Sequence, residues 1–594
     1  MTQVFSPASP TSQPANPAPI PVNVEAPPSL SDSELVGRMR ALFAKARSHR
    51  RPTVNQWVKN YRVMRNRTWM TSRPEWMPSP EVPEMRPIVA SWTSWLTDQR
   101  PQFDFTASAQ PYSPFAAFYE TLAMDMKTAA NIAWHNYGWE TQIQMGAFDA
   151  AQYSIGVFKT TWDNTLADGL GDVRVSRLDP FTLYPDPAST CAEDANYFIE
   201  ARQISVQELD RRFPGAAKKF EVYGYTDQID AMPDLRQGAS QTPRANPGAI
   251  APATTPRYGL PGQARERAEQ DDTGVTLLEC WLREHSYDDK TQKTYECWRV
   301  VCIAGPYVLM NKRADEIFPF KTHPYDFFSP ENMGEFYGQS LVELLTSSQL
   351  AINRLLASMM QNVDLTGNPI FKEGSRSGMQ RTRMSNRPGQ RITVAENSTA
   401  EWLPPPQLSA EMPGLVQFFK AEMRDISGLA DIARGSVPGG RNSTDVLDTV
   451  LEAGFVRIRM AQRNLEWAIR GIGTKVAAFI SEFYTEPRFV ATVGPQGGNS
   501  AKIFRARHFY LPNEDGVGLP LRFNVMVRAG SMLPTTRNNR IAEADTLYAM
   551  GGIDRGALLE AHDVPNRDQI VARIAEMEAK GTFAPPGARQ RSRK

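Results

Sequence analysis

Apolar residues recur at steps of three and four through most of the chain, and a central stretch alternates them with polar ones instead. These two periods separate helices from strands. Ser31-Asp32-Ser33-Glu34 has the composition of a helix start, and Leu35, Met39, Leu42 and Phe43 then share one helical face. Residues 120–153 read as one long amphipathic helix ending at Ser154-Ile155-Gly156. Alternation predicts strands at Val157–Trp162, Val173–Val175, Tyr197–Arg202, Val275–Arg283, Lys293–Ile303 and Pro306–Leu309. Between them lie a proline-stiffened turn at Leu183–Pro187 and a helix from Ser205 to Phe213.

After Gly334-Glu335-Phe336-Tyr337-Gly338 the helical period returns. Leu341, Leu344, Leu345, Ile352, Leu355, Leu356 and Met359 form one stripe through about Val363. A second amphipathic helix runs from Ala410 to about Leu429, with Met412, Leu415, Val416, Phe419, Met423 and Ile426 on one face. Two short strand-like pieces, Pro369–Lys372 and Arg391–Val394, lie between, which predicts an antiparallel helical hairpin with a compact tip. A glycine-rich loop, Ala433–Asn442, then feeds a long helix capped at Asn442 or Ser443 and running from Thr444 to Tyr484. Gly471-Ile472-Gly473-Thr474-Lys475 inside that helix follows no strand, so it marks a bend or close packing rather than a nucleotide loop. Strands at Arg488–Val493 and Leu521–Val527 and helices at Ile541–Met550, Arg555–His562 and Arg567–Lys580 complete an α+β chain.

Composition narrows the function classes. The chain has 594 residues with 66 Lys+Arg against 65 Asp+Glu, a net charge of +1. That balance excludes a globally basic nucleic-acid coat but leaves room for local basic patches. Four cysteines, with no C-x-x-C pair, argue against a disulfide scaffold. No apolar run reaches the length of a membrane helix, and no signal-peptide core is apparent, so a soluble protein without membrane insertion is expected. Residues 1–30 hold eight prolines and one charged side chain, predicting a disordered tail, and the proline- and glycine-rich residues 232–270 predict an exposed insertion.

The aromatic-dense stretch from Trp57 to Trp139 could form a stacking platform, but its helical spacings favour a core. Cys280 with His285, and Cys297 with Cys302, are spaced like metal ligands in a strand meander; buried thiols are the expected reading, with no metal, cofactor or catalytic residue. Charge concentrates at the hairpin tip, where Lys372, Arg376, Arg381, Arg383, Arg387 and Arg391 face a single acid, Glu373. A solvated loop accounts for one such segment, whereas copies gathered about an axis would sum their fields. Arg434 and Arg441 bracket the glycine-rich loop, and the C-terminal residues are basic as well.

Three features together resemble the portal, or head-to-tail connector, proteins of tailed bacteriophages. They are Arg177-Leu178-Asp179-Pro180-Phe181-Thr182-Leu183-Tyr184-Pro185-Asp186-Pro187, the Gly334–Ser340 lead into Leu350-Ala351-Ile352-Asn353-Arg354-Leu355, and the long helix after the glycine-rich loop. The resemblance covers about residues 35–580 and implies a homo-oligomeric ring, typically a dodecamer, at one capsid vertex of the virion. It implies a wing at 31–335 and 487–534, and stem helices at 336–363 and 408–429 packed through Leu341, Leu344, Leu345, Ile352, Leu355, Leu356, Leu415 and Phe419. It further implies a clip at 364–407 bearing the tip cations, and a tunnel loop at 430–443 with Arg434, Gly435, Gly439, Gly440 and Arg441. A long helix at 444–486 and a crown at 535–594 complete the expected anatomy. The implied partners are further copies of the chain, major capsid and scaffolding proteins, terminase, tail adaptors and double-stranded DNA bound without sequence preference. Another virion or ejection protein, or a metal-dependent nucleic-acid enzyme, are the competing classes.

Overall fold

The computed structural model describes residues 31–69, 77–98, 103–107, 116–220, 229, 274–288, 293–367, 371–373, 400–402, 410–428, 456–493, 499–504, 510–511, 519–520, 523–527, 537–562 and 567–579. Helix α1 (Asp32–Met64) opens as expected: the Ser31 N–H and hydroxyl both donate to Glu34 Oε2, at 3.0 and 2.8 Å. It continues through Pro52, although an interior proline typically costs ~3 kcal/mol. Contacts on both sides of Pro52 hold the helix together. Arg50, buried, donates to the carbonyls of Pro180 (3.2 Å), Phe181 (2.8 Å) and Leu183, and its guanidinium lies 3.7 Å from the Tyr184 ring centroid. Trp57, also buried, packs edge-on to Phe181 and Tyr337.

Helix α2 (Met85–Leu96) is followed by strand β1 (Phe103–Ala107), α3 (Ala116–Asn136) and α4 (Trp139–Tyr153). The single helix expected over 120–153 is therefore two. Gly138, at φ +61°, takes a left-handed conformation that ends one and starts the next, while the Trp134 and Trp139 rings stay 5.9 Å apart across the break. Trp57, Trp92, Trp134 and Trp139 are all buried, so these aromatics form core.

Strands β2 (Gly156–Asp163), β3 (Asp172–Leu178), β4 (Leu183–Pro185), β5 (Tyr197–Ser205), β6 (Gly274–Asp288), β7 (Lys293–Ala304), β8 (Tyr307–Arg313) and β9 (Tyr325–Phe328) build two antiparallel sheets, ordered β3-β2-β9 and β4-β5-β6-β7-β8. Residues 183–185, expected in a turn, pair with β5 as a strand. Helix α5 (Val206–Arg212) starts where Ser205 Oγ accepts from the Glu208 N–H at 3.2 Å. The larger sheet is covered on both faces. One face, including Tyr184, Ile199, Leu278, Val301 and Ile303, packs on Leu35, Val36, Met39 and Phe43 of α1. The other, with Phe198, Trp281, Trp298 and Val300, shares a core with the smaller sheet and Trp57.

Helices α6 (Leu341–Gly367) and α7 (Met412–Ser427) follow, joined through the paired strands β10 (Phe371–Glu373) and β11 (Ala400–Trp402). The tip strand expected at 391–394 lies outside the described residues; the strand opposite β10 is β11. Helix α8 (Val456–Phe483) is the described part of the long helix. After it come β12 (Arg488–Val493), β13 (Asn499–Phe504), β14 (Tyr510–Leu511), β15 (Leu519–Pro520) and β16 (Phe523–Val527). Strand β16 returns to pair with β1, bringing Thr106 beside Asn524. Helices α9 (Arg537–Ala549), α10 (Arg555–Ala561) and α11 (Arg567–Ala579) match the three expected at the C-terminal end.

The glycines inside α8 are points of close packing. A Cβ on Gly473 would stand 2.7 Å from the Phe103 ring and 2.8 Å from Val525, and one on Gly471 would collide with Asp326 Oδ1. Lys475, one turn on, donates to Asp326 Oδ1 at 2.7 Å and to the Tyr325 carbonyl at 2.8 Å. Burial pushes the Asp326 carboxyl up and the Lys475 ammonium down, each against the attraction of the other. Removing one partner of such a pair leaves a buried charge uncompensated. Lys475→Ala is expected to lower stability by about 3–5 kcal/mol in chemical denaturation. Lys475→Met combined with Asp326→Asn removes both charges and should recover at least half of that loss.

Candidate functional site

The helical hairpin and its attachment to the sheets carry the segments with function-bearing composition. Ser340 caps α6, its Oγ accepting from the Glu343 N–H and from Asn60 Nδ2, each at 3.0 Å. Asn60 Nδ2 also reaches the Gln152 carbonyl at 3.0 Å, so one amide ties α1, α4 and α6 together. Two turns into α6, Gln349 donates to the Val82 carbonyl (2.7 Å) and accepts from the Met85 N–H (3.1 Å). Asn353 accepts from the Val82 N–H (3.3 Å) and donates to Thr68 Oγ1 (3.1 Å). Both amides are buried. On α7, Lys420 pairs with Glu84, and Ser348 Oγ donates to Glu422 Oε2 at 3.3 Å across the hairpin. The near half of the hairpin is therefore pinned to α1, α2 and the segment before α2.

The far half differs. Toward the base Leu341, Leu345 and Ile352 are buried and Leu344 is half-buried, while Leu355, Leu356 and Phe419 are half-buried against the core that includes Val416 and Met423. Leu415, expected to pack within the stem, is 44% exposed, Phe418 beside it 60%, and Met360 and Val363 of α6 48% and 64%. Charge is sparse here as well. Helix α6 carries only Glu343, Arg354 and Asp364, and α7 has no charged residue between Met412 and Phe419. A sparsely charged helical surface with four exposed large apolar side chains has the composition of an interaction surface.

At the tip, Lys372 stands opposite Glu401 in the β10–β11 register. Arg376, Arg381, Arg383, Arg387 and Arg391 lie outside the described residues, as do the loop residues Arg434, Gly435, Gly439, Gly440 and Arg441. The tail at 1–30, the insertion at 232–270 and the start of the long helix at 444–455 lie outside them too. The described chain bounds the loop segment with Gly428, at φ +69°, and with α8, whose first turns carry Arg457, Arg459 and Arg463.

The Arg177–Pro187 segment serves the attachment. Arg177 pairs through two nitrogens with the buried Asp149 of α4, and Asp179 accepts from the Phe181 N–H at 3.0 Å. The carbonyls of Pro180, Phe181 and Leu183 then receive Arg50. The Gly334–Ser340 segment wedges Phe336 against Phe327 and Tyr337 against Trp57. Gly338 admits no side chain there, because a Cβ would collide with the Glu331 carbonyl.

These two segments and the α8 packing fall within one long match: the profile of the Phage P22-like portal protein family matches residues 120–593. The chain belongs to that family. No curated protein matches the chain. The family is a structural one of phage virions, consistent with the mixed helix-and-sheet portal subunit described here.

Within this portal chain, Cys280, Cys297 and Cys302 are buried, and among the described residues no group of three or more His, Cys, Asp or Glu side chains is placed to hold a metal. Also among the described residues, no helix is long and apolar enough to cross a membrane. Sequence alone assigns no role to Arg50, Gln349 or Asn353. A signal for the last two was present: two amides four residues apart beside the apolar stripe of a helix.

Asn353→Ala is expected to loosen the hairpin base without unfolding the sheets. Hydrogen exchange should show protection of residues 341–353 falling at least tenfold while β5–β7 stay unchanged.

Proposed function

We propose that the chain is the repeating subunit of a portal ring at one capsid vertex, the passage for double-stranded DNA during packaging and ejection. The observation that carries this reading is the far half of the hairpin. In a single chain it exposes Met360, Val363, Leu415 and Phe418 on a surface almost without charge. Fully burying such a side chain contributes roughly 1.5–3 kcal/mol. Neighbouring hairpins around a ring bury this surface on one another, with the dodecamer as the expected closure. Family membership supports the same assembly.

In this reading residues 336–363 and 408–429 are the stem, 364–407 the clip, 430–443 the tunnel loop and 535–594 the crown, with 31–335 and 487–534 as the wing. Stem residues Leu341, Leu344, Leu345 and Ile352 anchor each hairpin in its own subunit, and Leu415 turns toward the neighbour. Tunnel-loop arginines Arg434 and Arg441 meet phosphates without reading bases, which suits a passage that DNA of any sequence must traverse. Gly435, Gly439 and Gly440 let the loop follow the moving duplex. The clip cations Lys372, Arg376, Arg381, Arg383, Arg387 and Arg391 form the docking surface for terminase and then for tail adaptors. The wing and crown face the major capsid and scaffolding proteins and the capsid interior. No catalytic step or cofactor enters this role.

Mass photometry and negative-stain imaging of the purified chain should show rings of about a dozen copies. Phe418→Asp places a charge on the surface to be buried and should abolish rings while the melting temperature of the unassembled chain holds. Rings unchanged by Phe418→Asp would remove the stem assignment. Arg434→Ala with Arg441→Ala should leave rings intact and reduce the DNA packaged per capsid severalfold; loss of the rings themselves would count against a tunnel-loop role.

A further inference from the structure

Met460, Arg463, Trp467, Arg470 and Thr474 follow one another along α8 at steps of three and four residues, and all are exposed, Met460 to 52% and Trp467 to 62%. Between them Asn464 donates to the carbonyls of Ser329 (3.0 Å) and Pro330 (3.3 Å). The segment running on to Met333, itself 61% exposed, therefore lies along the same side of the helix. Below this lip opens a cleft of about 740 Å³ whose lining includes Trp467, Arg470, Asp326, His323, Trp298 and Arg283.

Asp326 decides what the cleft can receive. The residue is 8% exposed, its Oδ1 accepts from Lys475, and its Oδ2 has no hydrogen-bond partner among the described residues. A buried carboxylate oxygen without a donor is costly. His323 does not fill the need within the chain. Its Nδ1 accepts from the Tyr325 N–H at 3.3 Å, burial holds the ring neutral well below the usual histidine range, and its remaining N–H on Nε2 is not bonded to Asp326 Oδ2.

We infer that this cleft and its lip are a socket for a second copy of the chain, whose inserted segment crosses Trp467 and presents an N–H or ammonium donor to Asp326 Oδ2. The inference rests on the ring reading above. A closed ring with one rotation axis joins two different faces of each subunit, so one face must receive what the other presents. Three large exposed apolar side chains around a polar recess have the make-up of an interface centre. The lining carries both signs, Glu193 and Glu296 with Arg283 and Arg470. With Asp326 at the base, it suits a polypeptide and repels a polyanion, which argues against DNA as the occupant.

The test places the photo-crosslinking residue p-benzoylphenylalanine at position 467 of the full-length chain, with isotopically heavy and light chains mixed before assembly. Irradiated rings should yield heavy–light adducts at position 467. Adducts confined to a single chain, or none in well-formed rings, would overturn the socket. Trp467→Glu provides a second measure: the chain concentration for half-assembly should rise at least tenfold with the melting temperature of the unassembled chain unchanged. An unchanged assembly concentration also overturns it. Failure of the unsubstituted chain to form rings at all is a separate result, which removes the ring reading itself and the socket with it.

Discussion

Two adjacent residues in the short strand β9 hold the described bodies of this subunit together. Because side chains alternate across a strand, Tyr325 and Asp326 point to opposite sides. Tyr325 donates its hydroxyl to Glu200 at 2.9 Å, on the larger sheet, while its carbonyl accepts from Lys475 of the long helix. Asp326 pairs with that same lysine. Around Tyr325, the ammonium of Lys159 sits between Glu200 (2.8 Å) and Glu279 (2.7 Å), bridging the two sheets. Burial opposes the charges of Lys159 and Glu200, yet the two carboxylates outweigh it at Lys159, and Lys159 with Arg202 outweighs it at Glu200. A mutually satisfied buried cluster of this kind specifies one docking arrangement more than it adds net stability.

The rest of the architecture follows from that junction. With the sheets and α8 fixed on β9, Gly471 and Gly473 let the helix settle onto Asp326, Phe103 and Val525. The β1–β16 pair lies against the same helix, so the chain closes on itself far along its length. Arg50 works in the same spirit but on backbone. Its planar fork gathers carbonyls of the loop after β3 and leaves the flanking Tyr184 ring as its second surface.

Much of this was legible in the sequence wherever a period or a punctuating residue carried the signal. The hairpin helices, the meander of β5–β8, the C-terminal helices and the close packing at Gly471 and Gly473 belong here. The division at Gly138 was only half marked, because the same stripe holds a second glycine, Gly146, that stays helical. Strand β1 was not, because five residues without turn signals acquire their identity only from a partner more than four hundred positions away. The joint residues were hidden for a related reason: Arg50, Gln349 and Asn353 find their partners in backbone groups whose nearness is a product of the fold. At the candidate site, helical spacing placed Leu415 among the packing residues, and the folded subunit exposes it. Spacing identifies an apolar face without saying which molecule covers it. The cationic tip and the loop between the arginines were read from charge alone.

The uneven attachment of the hairpin has a mechanical meaning. Gln349, Asn353 and Lys420 fasten its near half to α2 and the segment before it, while its far half carries the exposed Met360, Val363, Leu415 and Phe418. A beam clamped at one end turns any sideways push at its tip into torque at the clamp. Force at the hairpin tip is thus felt at the buried amides of α6, in direct touch with α2 and the capped end beside Asn60. A ring of such beams, pressed side to side, would share that torque around its circumference and stiffen as a sleeve, while each single beam stays compliant.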